Sequence, residues 1–157
     1  MFVDMALSLM VDVSIALSTE RDTSKLLEHI LRAAKDLSNA DGGTIFAITE
    51  DNRLRYDTLL NDSLGLHLGG SSNHPIDFPT IPIYENGRLN TRAVVARAAG
   101  SGQVINIPDV YQVTEYDMAG ARNMDAKIGY RTVSLLTIPM KNHEGELNGV
   151  LHLINAR

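Results

Sequence analysis

At 157 residues, 44% hydrophobic and 21% charged, the chain has the size and composition of one globular domain. Such a domain buries roughly 70% of its unfolded surface and needs no covalent staples. A net charge of −5 and a pI near 5.4 argue against a nucleic-acid module, which is usually basic. The absence of cysteine excludes disulfides, thiolate zinc sites, thiol catalysis and a thioether-attached chromophore, and it fits a reducing cytoplasm.

The first 20 residues are apolar but carry no Lys or Arg, and Asp4 and Asp12 interrupt the run. A signal peptide needs a basic start and an unbroken apolar centre, and a membrane span needs about 18 uncharged apolar residues. The segment therefore reads as a helix that lives in protein. Phe2, Ala6, Leu9, Val13 and Ala16 follow the four-three spacing of a coiled-coil or bundle seam. Val3, Leu7, Met10 and Leu17 widen the apolar surface, which predicts packing on several sides, in part on a second subunit.

A second helix follows, with Ser18, Thr19 and Asp22 as N-cap candidates. Its apolar face is Leu26, Leu27, Ile30, Leu31, Ala34 and Leu37, and Gly42 and Gly43 fall where a left-handed C-cap is expected. The period then changes to two. GTIFAITED and RLRYDTLLND flank Asp51-Asn52 and predict a β-hairpin, with Leu54, Tyr56, Thr58 and Leu60 alternating against Arg55 and Asp57. Residues 61–90, broken by Pro75, Pro79 and Pro82, read mostly as loop with a strand at Ile81–Tyr84. Asn90 is the expected cap of a short helix closed by Gly100 and Gly102. A strand in QVINIPD, a short helix in TEYDMAGARNMDAK and a hairpin of VSLLTIPMKN with ELNGVLHLINA complete the chain. In the last strand Val150, His152 and Ile154 share one face, and Leu151, Leu153 and Asn155 the other. The layout is α+β with a largely antiparallel central sheet.

Four blocks carry a family resemblance: NADGGTIFAITED (39–51), INIPDVY (105–111), GYRTVSLLTIPMKN (129–142) and GELNGVLHLINA (145–156). In this order they resemble a GAF domain, and the last two resemble those of cyclic-nucleotide phosphodiesterases and of bacterial phosphodiesterase-like and HD-type phosphohydrolase regulators. The resemblance implies a six-stranded antiparallel sheet flanked by helices, a small-molecule pocket on one face, and homodimerisation through N-terminal helices. Residues 1–40 would be the helical pair and 41–157 the sheet and pocket. It implies a non-catalytic sensor that controls an attached output domain such as a phosphodiesterase; the absence of cysteine and of an uncharged apolar span adds the expectation of a cytoplasmic protein without membrane insertion. The chain stops directly after a core strand, which predicts a piece of a longer regulator.

The resemblance also implies site residues. Thr132 matches a ligand-contacting threonine, Asp125 lies near a contact position in the preceding helix, and His152 falls where the last strand offers a polar side chain to a base. Ile128 stands where ligand-binding relatives can carry a second threonine. Asn155 matches the start of an Asn-Lys motif, but Ala156 replaces the lysine. Helix N-termini near Thr91 and Thr114 are candidate phosphate sites, and Arg122 and Arg131 are candidate clamps. A hydroxyl and an imidazole both donate and accept, which suits a purine edge, so cyclic AMP or cyclic GMP is the candidate regulatory ligand. The competing reading is a purely structural dimerisation module with a self-filled pocket. Catalysis is not expected: GAF-type methionine-sulfoxide reductases need cysteine, and no triad stands out. His67 and His74 have no metal-ligand spacing.

Overall fold

The computed structural model describes residues 20–72, 74–112, 118, 125–127, 129–142 and 144–156. The seam at Phe2–Ala16 and the dimerisation expected from it lie outside these residues, as do Thr114, Arg122 and Ile128. No helix among the described residues is long and apolar enough to cross a membrane.

Helix α1 spans Glu20–Ser38. It is already helical at Glu20, so Asp22 lies inside it rather than at its cap. Leu27, Ile30, Leu31 and Ala34 form the buried face as expected, but Leu37 is 47% exposed. It sits in the last turn, just before Asn39 takes the left-handed conformation (φ 56°) and turns the chain into the sheet. The expected cap glycines do something else. Gly42 and Gly43 open strand β1 (Gly42–Ile48). A Cβ on Gly43 would lie 2.7 Å from the His152 carbonyl oxygen and 2.8 Å from Leu31 Cδ1. These positions demand glycine for close approach, while asparagine supplies the left-handed cap.

Strand β2 (Arg53–Asn61) returns from β1 through a turn at Asn52 (φ 58°). Its alternation is not uniform. Ile45 faces Thr58 but Phe46 faces Tyr56, so Asp57 is an extra, bulged residue. A bulge shifts the pattern by one. Leu54 joins the cluster on one side of the sheet and Leu60 the cluster on the other. The Asp57 carboxylate turns toward α1 and accepts from Ser24 Oγ at 3.3 Å and Thr58 Oγ1 at 3.0 Å.

The stretch read as loop holds more structure than expected. Strand β3 (Leu66–Gly69) pairs with the end of β2, and β4 (Ile81–Pro82) with its start. Strands β5 (Tyr84–Glu85) and β6 (Arg88–Leu89) form a minimal hairpin over Asn86-Gly87, both at positive φ. Pro82 is tolerated because β4 is a two-residue strand at the sheet margin.

Helix α2 spans Val94–Ser101 and ends at Gly102 in the left-handed conformation (φ 70°); Gly100 is inside it. Its N-cap is Ala93, without a side-chain hydrogen bond. Asn90 does not cap it. The Asn90 Oδ1 accepts from Arg92 N–H and its Nδ2 donates to the Pro82 carbonyl, which ties the approach to α2 onto β4. Of the expected following helix, Asp125, Ala126 and Lys127 are helical, and Met118 is buried outside regular structure.

Strands β7 (Ile105–Ile107), β8 (Leu135–Lys141) and β9 (Leu147–Ile154) complete the sheet. Its order is β3-β2-β1-β9-β8-β7, antiparallel throughout, with β4 beside β2. Helix α1 covers one face, where Leu27, Ile30, Leu31 and Ala34 meet Ile45, Leu151 and Leu153. Helix α2 covers part of the other through Val95, Ala96 and Ala99 against Phe46 and Val150. The uncovered part of that second face becomes the cavity.

Candidate functional site

Helix α2 is short, so it leaves the β1, β2 and β9 end of its face open. A cavity of about 440 Å³ remains there. Its floor is the sheet, with Thr44, Phe46, Tyr56 and His152; one wall is the first turn of α2 with Thr80, Ile81, Pro82 and Glu85, and the other is Asp125, Tyr130 and Thr132. The volume lies in the range of small-molecule sites, and apolar walls with few polar groups are what such sites usually show.

The joint at residues 125–134 is organised around a buried carboxylate. Asp125 Oδ2 accepts from Tyr111 Oη at 2.5 Å and from the Thr132 N–H at 2.8 Å, and Oδ1 accepts from Thr132 Oγ1 at 2.7 Å. Both Asp125 and Thr132 are buried. Gly129 takes a left-handed conformation (φ 70°) that lets the chain reverse, and Tyr130 N–H donates to the Asp125 carbonyl at 3.0 Å. The Tyr130 hydroxyl donates to Asp41 Oδ2 at 2.6 Å and accepts from Asn155 Nδ2 at 2.7 Å. Burial, then this carboxylate, push its phenol up to about 12. Asn155 does not point to the face of Leu151 and Leu153. At φ 54° it leaves the strand, and its Oδ1 accepts from the Val133 and Ser134 N–H groups.

The structure places Thr132, Asp125 and His152 around one cavity, with Thr132 and Asp125 bonded to each other and Asp125 also to Tyr111. Thr91 is exposed and does not line the cavity. The neighbouring first turn of α2, from Ala93 to Val95, does. Arg92 is the one cationic side chain in the wall among the described residues, and it pairs with Glu85 at 2.5 Å. Arg131 turns away to stack on the Tyr111 ring, 4.1 Å from its centroid. Sequence reasoning missed Tyr111 and Asp41, whose partners Asp125 and Tyr130 lie far along the chain. No three His, Asp or Glu side chains among the described residues are grouped to hold a metal ion.

His152 stands on the cavity floor with its ring edge-on to Phe46, 5.2 Å between centroids. Its Nε2 is buried and has no hydrogen-bond partner among the described residues. Burial depresses the imidazole to about 4 from 6.5, so the ring is neutral near pH 7. The consequence for stability has a definite sign. Between pH 6.5 and 4 the unfolded chain binds this proton and the folded chain does not. Stability is therefore complete above pH 6.5 and falls as pH drops through that window. The loss should approach about 2–3 kcal/mol by pH 4, below the full 1.36 kcal/mol per unit because the ring borders the cavity. Urea unfolding of the wild type and His152→Leu across pH 4–7 checks this; parallel profiles would reject it.

The GAF domain family model matches residues 22–157. The chain is 27% identical over 142 residues to a dual 3′,5′-cyclic-AMP and -GMP phosphodiesterase 11A of Takifugu rubripes, a match covering 88% of this chain and 14% of that protein. It therefore spans only a small part of that relative's length. A solved structure described as that of the GAF domain superposes with a TM-score of 0.51 at 13% identity, covering 98% of this chain and 73% of the other. That likeness concerns the fold.

Proposed function

From the premise that this chain belongs to the GAF domain family, we propose that it is a regulatory module that binds a small molecule in the α2-side cavity. In this reading it controls an attached output domain, such as a phosphodiesterase, within a cytoplasmic homodimer assembled through the N-terminal segment. The candidate ligand is a cyclic nucleotide, as the name of its phosphodiesterase relative suggests. The observation that carries the reading is the cavity itself, whose polar groups, His152 and the Asp125–Thr132 pair, converge within apolar walls. Its open volume also speaks against the self-filled structural module.

The purine would lie on the floor beside Phe46 and His152. The phosphate would meet the first turn of α2, whose N–H groups no side chain caps. Binding would regulate by favouring one arrangement of the dimer over another, and only as far as the affinities for the two differ.

Thermal unfolding with millimolar cyclic AMP or cyclic GMP tests this. A ligand at 100 times its dissociation constant stabilises by about 2.7 kcal/mol, which for this size is a rise of roughly 5–10 °C. The rise is expected with one nucleotide and should vanish in His152→Leu, which removes the ring's donor and acceptor. No rise with either nucleotide would remove cyclic nucleotides from the proposal.

A further inference from the structure

On the cavity side, the sheet's cross-strand rows are mostly apolar. Phe46, Val150 and Pro139 form one row, and Gly42, Ile154 and Leu135 another. Between them runs a polar row, with Thr44 on β1, His152 on β9 and Thr137 on β8 directly opposite one another. Polar groups in a buried sheet are costly unless hydrogen-bonded. Thr137 is completely buried, and its Oγ1, like His152 Nε2, has no hydrogen-bond partner among the described residues. Directly opposed residues bring their Cβ atoms within about 4.5–5.5 Å, close enough for one small guest to reach both side chains. A hydroxyl donates and accepts, and a neutral imidazole does one of each on its two nitrogens. One guest that both donates and accepts satisfies the pair.

We propose that Thr137 is a positioning residue for His152. It fixes the orientation and tautomer of the imidazole in the cavity floor through a shared buried water. Thr137 is absent from the cavity wall, so it acts through the imidazole rather than by touching a ligand. This role does not rest on the reading of the cavity as a binding site.

The test uses the ligand-free domain, so its failure is separate from any failure to find a ligand. Valine has threonine's shape and branching, so Thr137→Val removes the hydroxyl and nothing else. If the hydroxyl were merely an unsatisfied buried group, valine would leave the melting temperature unchanged or raise it. The shared guest predicts a fall of about 2–4 °C. It also predicts that the imidazole ¹⁵N shifts of His152 move in Thr137→Val, while those of the other four histidines stay. Thr137→Ser, which keeps the hydroxyl, should retain the wild-type His152 shifts despite the lost methyl. An unchanged or higher melting temperature in Thr137→Val overturns the shared guest. A fall without movement of the His152 signals overturns the positioning role.

Discussion

Asp125→Ala is expected to destabilise the domain by about 3–4 kcal/mol, read as a lower urea midpoint with unchanged slope. Two effects oppose each other. Removing the carboxylate abolishes its own desolvation cost, since no cationic side chain among the described residues bonds to it. Against that, alanine strands three donors that now converge on it: the Tyr111 hydroxyl, the Thr132 N–H and the Thr132 hydroxyl. Hydrogen bonds to a charged group contribute about 1.5–3 kcal/mol each, and truncating one partner of a buried charged cluster commonly costs 3–5 kcal/mol. Water entering from the cavity can rescue part of this, which places the expectation below the upper limit.

Asp125→Asn separates charge from connectivity. Its amide oxygen can take the place of Oδ2, and its nitrogen can donate to the Thr132 hydroxyl, which can turn to accept. The loss should therefore fall to about 1–2 kcal/mol. Equal losses in the two variants would mean that charge, rather than the number of satisfied donors, holds the joint. A loss in Asp125→Ala under about 1 kcal/mol, the value of a single ordinary hydrogen bond, would dismiss Asp125 as the organising group.

What could be read in the sequence follows the range of the interactions involved. The β1–β2 and β8–β9 hairpins and the buried face of α1 were legible because period and turn residues are local signals. The bulge at Asp57 was not. Leu54, Tyr56, Thr58 and Leu60 alternate evenly, and only the fixed partner β1 shows that the strand carries one residue too many. Gly42 and Gly43 read locally as a cap, because nothing local records that His152 and Leu31 pass within contact distance. The same holds at the site. Thr132, Asp125 and His152 are singled out by the family resemblance alone. That Thr132 and Asp125 bond each other, and that Tyr130 reaches Asp41 across 89 positions, depends on tertiary closure. Nothing local marks Thr137, and only its register opposite His152 and its unpaired hydroxyl set it apart.

Leu31→Ala should carry the largest cost on the opposite side of the sheet, about 3–5 kcal/mol. Leu31 is fully buried, and the loss of a leucine side chain costs more where the surroundings cannot collapse into the space. Here they cannot, because the helix rests on a sheet that is hydrogen-bonded on both sides of β1. The partner position, Gly43, tests the same contact from below. Gly43→Ala forces a methyl against Leu31 Cδ1 and the His152 carbonyl, and overpacking of this kind costs about 1–3 kcal/mol. Combining the two changes relieves the clash with the leucine but not the one with the backbone, so the double variant should be more stable than additivity predicts by about 0.5–1 kcal/mol. Full additivity would mean that helix and strand do not meet at this point. The two single changes also differ in reach. On the proposed function, Leu31→Ala leaves the cavity floor untouched and should not alter ligand response once its lower stability is allowed for. Gly43→Ala presses on the backbone of His152 and should weaken that response. On that same proposal, any coupling between the cavity and α1 runs through this thin stretch of β1 and β9, where the helix side and the cavity side are one backbone apart.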